Sequence, residues 1–312
     1  MINNELQQYL NKVKDFPLEI HLEQCSYCNG HCIMCPHKNQ RAKKDPKNII
    51  MKQAIFEKAI KEIGNKHLNY LHFHLNGEPL FARSDILKER IDYAREHCPN
   101  IEKLCIFTNG IRLDSSMREA LLTSKLDVIM ISVHAGNEED YRKMVGLNWY
   151  HLYNNIKALV SEKKKLNSKL YIQTGFIPTK YNINSKEHYF KLFSELGVDH
   201  CGGGGVNNIG GHIDADNMLV KEQYIKGNIN APCMRLWLDL SIMSDGRACI
   251  CSQDVLGEHI IGDLKTDTLQ EIWKRLDLQR KLFIKGYKKL IKFCSKCDYM
   301  RGCVAPDWWR FD

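Results

Sequence analysis

The feature that most restricts the fold of this sequence is a regular alternation of apolar, strand-like runs with helical patterns. Strand candidates lie at 18–25, 70–79, 103–110, 128–136 and 170–178, with a weaker sixth at 197–208. Helical patterns lie near 51–65, 84–97, 115–124, 149–165 and 185–196, and Asp114 and Asn184 are the expected N-caps of two of them. Such alternation predicts an α/β fold with a parallel sheet and right-handed crossovers. Six repeats predict an open, partial version of the eight-fold barrel.

The motifs whose residues could take part in chemistry follow the predicted strands. The stretch "CSYCNGHCIMC" at 25–35 follows the first strand, "NGEP" at 76–79 ends the second, "TNG" at 108–110 ends the third and "SVHAG" at 132–136 ends the fourth. In barrels of this kind the chemistry lies at the carboxyl ends of the strands. We therefore expect these motifs to meet at one rim of the barrel.

The cysteine content indicates metal or redox chemistry. The sequence contains no run of about 18 apolar residues, so no membrane span is predicted. Its N-terminal stretch lacks the apolar region of a secretory signal. A cytoplasmic protein is therefore expected. Thirteen cysteines in such a chain favour metal sites over disulfides. Four lie at 25–35 and six at 233–303. The other three, expected to be small apolar core residues, are Cys98, Cys105 and Cys201.

The net charge of +8 is spread along the chain. Its lysine runs lie in stretches that are also rich in acids and amides, which is typical of solvated faces. No aromatic-plus-basic motif indicates nucleic-acid binding. Neither a nucleic-acid partner nor a membrane partner is expected.

The first cysteine cluster contains the spacing C-x3-C-x2-C at Cys28, Cys32 and Cys35. With Cys25 it can also be divided into two C-x2-C pairs, the arrangement of zinc sites, but only three residues separate the pairs. Clustered thiolates in a loop also suit iron–sulfur clusters. A structural zinc site therefore remains the alternative.

At these residues the sequence resembles the radical S-adenosylmethionine (radical SAM) enzymes, whose signature is C-x3-C-x2-C after the first strand. The resemblance implies that Cys28, Cys32 and Cys35 hold a [4Fe–4S] cluster whose fourth iron chelates SAM. It also implies reductive cleavage of SAM to a 5′-deoxyadenosyl radical that abstracts a substrate hydrogen. Cys25 is then not a ligand, because a fourth thiolate would close the position that SAM needs.

The resemblance extends to the residues that would contact SAM. "NGEP" matches the glycine-glycine-glutamate motif of the family, so Gly77 would let the backbone approach SAM and Glu78 would accept a hydrogen bond from its ammonium group. Met34 stands where an aromatic residue is usual beside the adenine. The other expected SAM contacts are Asn76, Asn109, Ser132 and Gln173. His134 is expected to have a structural role.

The C-terminal cysteines resemble the SPASM and twitch extensions of radical SAM enzymes, which carry auxiliary [4Fe–4S] clusters. The stretch 235–251 predicts two short strands around an Asp-Gly turn, and a helix near 267–285 follows. The spacing is similar to that of the aminocyclitol dehydrogenase of butirosin biosynthesis and implies one auxiliary cluster, with a zinc ribbon as the alternative. Its expected ligands are Cys233, Cys251, Cys294 and Cys297. Cys249 and Cys303 are then spare, as packing residues, as alternative ligands or as hydrogen donors.

We expect three regions: an N-terminal helix over 1–17, a TIM-like partial (β/α)6 barrel over 18–212 and a cysteine-rich twitch/SPASM-like extension over 213–312. The last is expected as an appendage to the barrel. The glycine-rich stretch 201–211 between them is either a hinge or room for a substrate.

The favoured function is oxidation of a hydroxylated small molecule, a sugar or an aminocyclitol, with an auxiliary cluster as electron acceptor. The spacing of the C-terminal cysteines motivates it, as does the start of strand one near residue 18, which leaves no room for a peptide-recognition domain before it. The alternatives are epimerisation of such a molecule with Cys249 or Cys303 as hydrogen donor, maturation of a ribosomally made peptide, and a non-catalytic zinc-binding adaptor. An electron donor such as flavodoxin or ferredoxin is the expected protein partner.

Overall fold

The computed structural model describes residues 15–36, 49–220 and 233–298. Its barrel strands are β1 (Glu19–Leu22), β2 (Leu68–His72), β3 (Ile101–Thr108), β4 (Val128–Ser132), β5 (Tyr171–Phe176) and β6 (His200–Gly203). The helices between them are α1 (Gln53–Ile63), α2 (Ser84–His97), α3 (Ser115–Thr123), α4 (Glu138–Met144), α5 (Trp149–Leu166) and α6 (Lys186–Leu196). Consecutive strands pair in parallel, which confirms the partial barrel. Within these residues no helix is long and apolar enough to cross a membrane.

The C-terminal part continues the same sheet. It contains α7 (Arg235–Leu238), β7 (Asp239–Ile242), β8 (Arg247–Cys249), β9 (Ile260–Asp263), α8 (Leu269–Arg275), α9 (Asp277–Ile284) and α10 (Lys292–Lys296). The predicted strand pair around the Asp-Gly turn is present as β7 and β8. However, β7 also pairs in parallel with β1, so the sheet order is β6-β5-β4-β3-β2-β1-β7-β8-β9. The extension therefore adds its strands to the sheet of the barrel, because the open barrel exposes an edge of β1 that a further strand can cover.

Of the ten helices named above, four begin at a residue whose side chain caps the helix: α3, α4, α5 and α8. Asp114 caps α3 as predicted, because its side chain accepts a hydrogen bond from the amide of Met117. Asn184 does not cap α6: it lies inside a 3-10 turn, Ile183–Ser185, and α6 begins directly after it. The predicted helix near 267–285 is divided at Leu276 into α8 and α9. The prediction for residues 1–17 concerns mainly residues 1–14, which lie outside the described part of the chain.

The two faces of the barrel strands differ in chemistry. On β1, Ile20 and Leu22 are 0% exposed and belong to the hydrophobic core under the helices. Glu19 and His21 alternate with them and are also buried, so they face the interior of the barrel. The interior is therefore polar, which suits a binding space better than a packed core.

The glycine-rich stretch after β6 is a place of close backbone approach. A Cβ atom at Gly210 would lie 2.2 Å from the ring of Phe293 on α10. Nearby, Asn208 donates from its backbone to Asp298 at 2.7 Å and from its side chain to the Lys296 carbonyl at 2.8 Å. The end of the stretch thus holds the helix that carries Cys294. A Cβ atom at Gly205 would meet nothing within 4 Å, and the choice between a hinge and room for a substrate stays open.

We expect Gly210→Ala to destabilise the C-terminal region by about 2 kcal/mol or more, because the added methyl group overlaps an aromatic ring and the residue has a φ of +67°. The matched control is Gly205→Ala, since a Cβ atom there would meet nothing within 4 Å. Limited proteolysis that cuts the C-terminal region of Gly210→Ala faster than that of Gly205→Ala would agree with this packing. Equal cleavage rates would contradict it.

Candidate active site

The motifs after β1, β2 and β3 meet at one rim of the barrel. The segment after β2 is held to the segment after β1 because the Glu78 amide donates to the Tyr27 carbonyl at 2.7 Å. The segment after β3 joins them because Nδ2 of Asn109 donates to Oδ1 of Asn29 at 2.7 Å. The structure therefore brings together the cysteine cluster, "NGEP" and "TNG", as the parallel topology predicts.

Within the stretch 25–35, the environment of Cys25 differs from that of the other three cysteines. Cys28, Cys32 and Cys35 are partly exposed, whereas Cys25 is 1% exposed and takes part in an isolated antiparallel backbone bridge. A Cβ atom at Gly30 would lie 3.5 Å from Cys32 Sγ and 3.6 Å from Cys28 Sγ, so two of the sulfurs flank this glycine. This arrangement agrees with three ligands at one site and Cys25 in a packing role, and the ligand roles stay predictions.

Glu78 is a buried carboxylate held by the chain around it. Its Oε1 accepts hydrogen bonds from the Thr108 hydroxyl and the Leu80 amide. Its Oε2 accepts from the Asn109 amide at 2.7 Å. Burial raises the pKa of Glu78 to about 7, and these hydrogen bonds oppose that rise. Acceptor capacity remains on Oε2, so Glu78 can also accept from an ammonium group.

Gly77 has a role that the sequence interpretation missed. A Cβ atom at this position would lie 2.1 Å from the carbonyl oxygen of Cys25 and 2.6 Å from the carbonyl carbon of Ser26. Such distances are far inside van der Waals contact. The glycine is therefore needed to admit the backbone at the start of the cysteine cluster.

The other expected SAM contacts lie at different depths. Ser132 ends β4 at the rim and is partly exposed, while Gln173 is deeper on β5 and 1% exposed. Met34 is buried and packs in the hydrophobic core. The His134 imidazole accepts a backbone amide at 3.1 Å, and burial lowers its pKa to about 4. These contacts fit the structural role expected of His134.

Glu23 is a residue of this rim that the sequence analysis did not identify. It is 0% exposed, and its Oε1 accepts from the amides of Asn76 at 3.2 Å and Gly77 at 3.1 Å. Its Oε2 accepts from the Ser244 amide at 2.9 Å. Ser244 lies in the turn between β7 and β8, so one carboxylate joins the barrel rim to the C-terminal extension.

We expect Glu23→Gln to lower the free energy of unfolding by about 2–3 kcal/mol, because an NH2 group would face a backbone amide donor in a buried position. Chemical denaturation under anaerobic conditions measures it. Glu102→Gln is the control, since the Glu102 side chain is 60% exposed, and it should change stability by no more than about 0.5 kcal/mol. Equal stability of the two variants would show that Glu23 does not join the two regions.

Three buried histidines form part of the barrel interior below the rim. His21 and His72 stack with their ring centroids 4.2 Å apart and 10° between their planes. His74 meets both rings edge-on and stacks on Phe107. Burial, with the neighbouring histidines, lowers the pKa of His21 and of His74 well below the ordinary value, so both rings are neutral near pH 7.

In this histidine cluster, one nitrogen atom from each ring lies within 4.8 Å of one nitrogen atom of each of the other two rings. Parallel rings direct the lone pairs of His21 and His72 side by side rather than toward a common ion. Nδ1 of His74 accepts the Phe107 amide at 3.1 Å, which leaves the proton of the neutral ring on Nε2. We therefore interpret the histidine cluster as a polar wall of the barrel interior.

Several buried polar atoms at and below the rim have no hydrogen-bond partner within the described residues. They are Asn76 Nδ2, Tyr141 Oη and Gln173 Oε1. Leaving such a group unsatisfied costs about 1–3 kcal/mol, so their concentration here is typical of a site that binds a polar molecule. With the three partly exposed thiols and Glu78, they fit a site for SAM beside an iron–sulfur cluster.

A second site lies in the C-terminal extension, where four cysteines line one pocket. They are Cys233, Cys251, Cys294 and Cys297. Burial raises the pKa of Cys251 well above its ordinary value and that of Cys294 to about 12, and the neighbouring cysteines add to both shifts. Thiolates packed so closely repel one another unless a metal centre compensates their charge. The donor set fits one four-thiolate cluster.

The two cysteines left over from the predicted ligand set are Cys249 and Cys303, and the structure describes only the first of them. Cys249 is fully buried in β8, where its thiol contacts the carbonyls of Ser241 and Cys251 at 3.8 and 3.4 Å. Burial raises its pKa well above the ordinary value. These contacts favour a packing role. Cys303 lies outside the described residues.

Comparison with protein families identifies the class. The family model of the radical SAM superfamily matches residues 23–178, half of the chain, and that of the SPASM iron–sulfur cluster-binding domain matches residues 233–298. The chain belongs to the radical SAM superfamily and carries a SPASM domain. SAM and a [4Fe–4S] cluster are its cofactors, together with auxiliary iron–sulfur ligation in the SPASM domain. The alternative of a non-catalytic zinc adaptor is set aside.

Solved structures of the same fold include three informative ones. BtrN in complex with AdoMet and 2-DOIA is 19% identical, with 91% of this chain and 93% of that chain covered and a TM-score of 0.60. Streptococcus suis SuiB bound to precursor peptide SuiA is 16% identical, with 97% and 77% covered and a TM-score of 0.68. Native anSMEcpe with bound AdoMet is 18% identical, with 92% and 88% covered and a TM-score of 0.63. These identities show the fold alone, and no curated protein matches the sequence.

Proposed function

We propose that this radical SAM enzyme oxidises a hydroxylated small molecule, a sugar or an aminocyclitol, at a carbon that bears a hydroxyl group. The observation that carries the proposal is the convergence of four thiols on one pocket in the SPASM domain. Four protein thiolates occupy every iron of one [4Fe–4S] cluster, which suits electron exchange rather than substrate binding. When bound, SAM with its cluster supplies the acceptor of a hydrogen atom, and the auxiliary cluster supplies the acceptor of an electron.

The polar barrel interior supports a substrate with hydroxyl groups. Glu19 Oε2, Asp239 Oδ1 and Ser241 Oγ are buried and lack a hydrogen-bond partner among the residues that the structure describes. Glu19 Oε2 also lies 3.8 Å from His72 Nε2. Such a carboxylate–imidazole pair can accept the proton that a hydroxyl group loses when its carbon becomes a carbonyl. The balance is then complete: one hydrogen atom, one proton and one electron leave the substrate.

A cation beside the pocket supports its role as an electron acceptor. Lys288 is among the residues that line the pocket, and its Nζ donates to the Cys297 carbonyl at 2.7 Å. Positive charge stabilises the more negative, reduced state of a cluster. A flavodoxin or ferredoxin is the proposed electron donor for the SAM-binding cluster.

The test is an anaerobic assay with a panel of sugars and aminocyclitols, in which 5′-deoxyadenosine and a carbonyl product are both quantified. The proposal expects equal amounts of the two. A product with the oxidation state of the substrate and deuterium taken up from solvent would instead identify an epimerase. That alternative needs a hydrogen donor, and the burial of Cys249 makes it a poor one.

Peptide maturation is the second candidate, and one comparison favours it. SuiB bound to its precursor peptide SuiA matches 97% of this chain, with the higher TM-score of 0.68. The distinguishing experiment is mass spectrometry of candidate precursor peptides after incubation with the enzyme and SAM. A peptide that loses two hydrogens, or gains deuterium from solvent, would replace the small-molecule proposal.

A further inference from the structure

The carboxamide of Asn109, directly after β3, has a fixed orientation. The side chain is 8% exposed, and its Oδ1 accepts a hydrogen bond from the Ile111 amide at 3.0 Å. A backbone amide can only donate, so this bond assigns the oxygen to the Ile111 side and turns the NH2 group the other way. The NH2 group donates to Oδ1 of Asn29 at 2.7 Å, and Asn29 belongs to the cysteine stretch 25–35.

The same NH2 group meets a sulfur of this stretch. Nδ2 of Asn109 donates to Sγ of Cys28 in a long N–H···S hydrogen bond of 4.0 Å. The Gly30 amide donates to the same sulfur at 3.4 Å. Two N–H donors, one from the cysteine stretch and one from the end of β3, therefore converge on Cys28.

The turn that presents Asn109 is held from two sides. The backbone amide of Asn109 donates to Oε2 of Glu78 at 2.7 Å. On the other side Asn155, on α5, donates from its Nδ2 to the carbonyls of Gly110 at 2.9 Å and Ile111 at 3.0 Å. These bonds restrict the side chain of Asn109 to its place beside Cys28.

We propose that the Asn109 carboxamide donates to the Cys28 sulfur of the loaded SAM-binding cluster and thereby raises the reduction potential of that cluster. The inference rests on the proposed ligation by Cys28, Cys32 and Cys35. An iron-bound thiolate accepts hydrogen bonds, and donors to the sulfurs of a cluster stabilise its reduced, more negative state. Asn109 then acts on the cluster through Cys28, and its contact with the cofactor site differs from the SAM contact that the sequence resemblance implies.

The test is an EPR-monitored redox titration of the loaded Asn109→Ala variant without SAM and without substrate. The signal of the SAM-binding cluster is identified in a parallel sample by its change when SAM is added. We expect the iron content of the parent protein and a midpoint potential shifted to a more negative value. An unchanged midpoint would overturn the inference, and so would a shift that appears only with SAM, because Asn109 would then act as a SAM contact.

Asn155→Ala is the matched control. Asn155 is a buried asparagine that supports the same turn, and its Nδ2 bonds to carbonyl oxygens. We expect its midpoint to equal that of the parent, and an equal shift in both variants would overturn the inference by showing that the turn is responsible.

A second variant at the same position keeps the test valid if Asn109→Ala loses iron. Asn109→Asp keeps an oxygen for the Ile111 amide and removes the NH2 group, so it should also shift the midpoint to a more negative value. An unchanged midpoint in Asn109→Asp would overturn the inference. No substrate enters these titrations, so their outcome is separate from that of the proposed oxidation. A Cys28→Ala variant that keeps the SAM-responsive signal would overturn the ligation itself.

Discussion

Alanine at Cys28, Cys32 or Cys35 is expected to abolish SAM cleavage and to remove about four irons per chain. With two thiolates left, the site cannot hold a cluster that offers one open iron to SAM. The measurements are iron and sulfide content after anaerobic reconstitution, and release of 5′-deoxyadenosine under reducing conditions.

Cys25→Ala is the matched control for this prediction. Cys25 belongs to the same eleven-residue stretch, but it is 1% exposed and lies in a backbone bridge. Its replacement should cost about 1 kcal/mol of stability from the lost sulfur packing and leave iron content and SAM cleavage unchanged. Loss of the SAM-binding cluster in Cys25→Ala, or its retention in Cys32→Ala, would contradict the assignment.

The second large effect is expected at the SPASM domain. Cys297→Ala should remove about four of about eight irons while SAM cleavage continues, because the barrel site is built from other residues. Oxidation of a substrate should stop, since the electron would have no acceptor. Iron analysis and a 5′-deoxyadenosine assay on the same preparation measure both effects.

Cys249→Ala is the matched control in the same domain. Its thiol is buried in β8 and contacts backbone carbonyls, so all irons should remain and stability should fall by about 1 kcal/mol. If Cys249→Ala lost the auxiliary cluster and Cys297→Ala kept it, the proposed ligand set would be wrong.

The barrel and its rim could be predicted because each repeat carries its own local signal. Apolar strands, capped helices and motifs at strand ends all lie within short windows, and parallel topology then places the strand ends together. The short helix α4 was missed, since seven residues give too little periodicity to identify a helix. Tyr141 was missed with it.

Contacts between distant parts of the chain could not be predicted. Glu23 meets Ser244 across 221 residues, and β1 pairs with β7, neither of which any local pattern indicates. A partial signal was present in "EIHLEQ", where polar and apolar residues alternate. Parallel strands buried on both faces usually read as continuous apolar runs, so this alternation indicated a polar barrel interior with Glu19, His21 and Glu23 facing it.

The central claim is that one cluster keeps an open iron for SAM while the chain's own thiolates close the other. Mössbauer spectroscopy of protein reconstituted with ⁵⁷Fe, with and without SAM, tests it most directly. We expect about eight irons per chain, of which about one changes its environment when SAM is added. A change at about two irons, or about four irons in total with zinc in the SPASM domain, would contradict the claim.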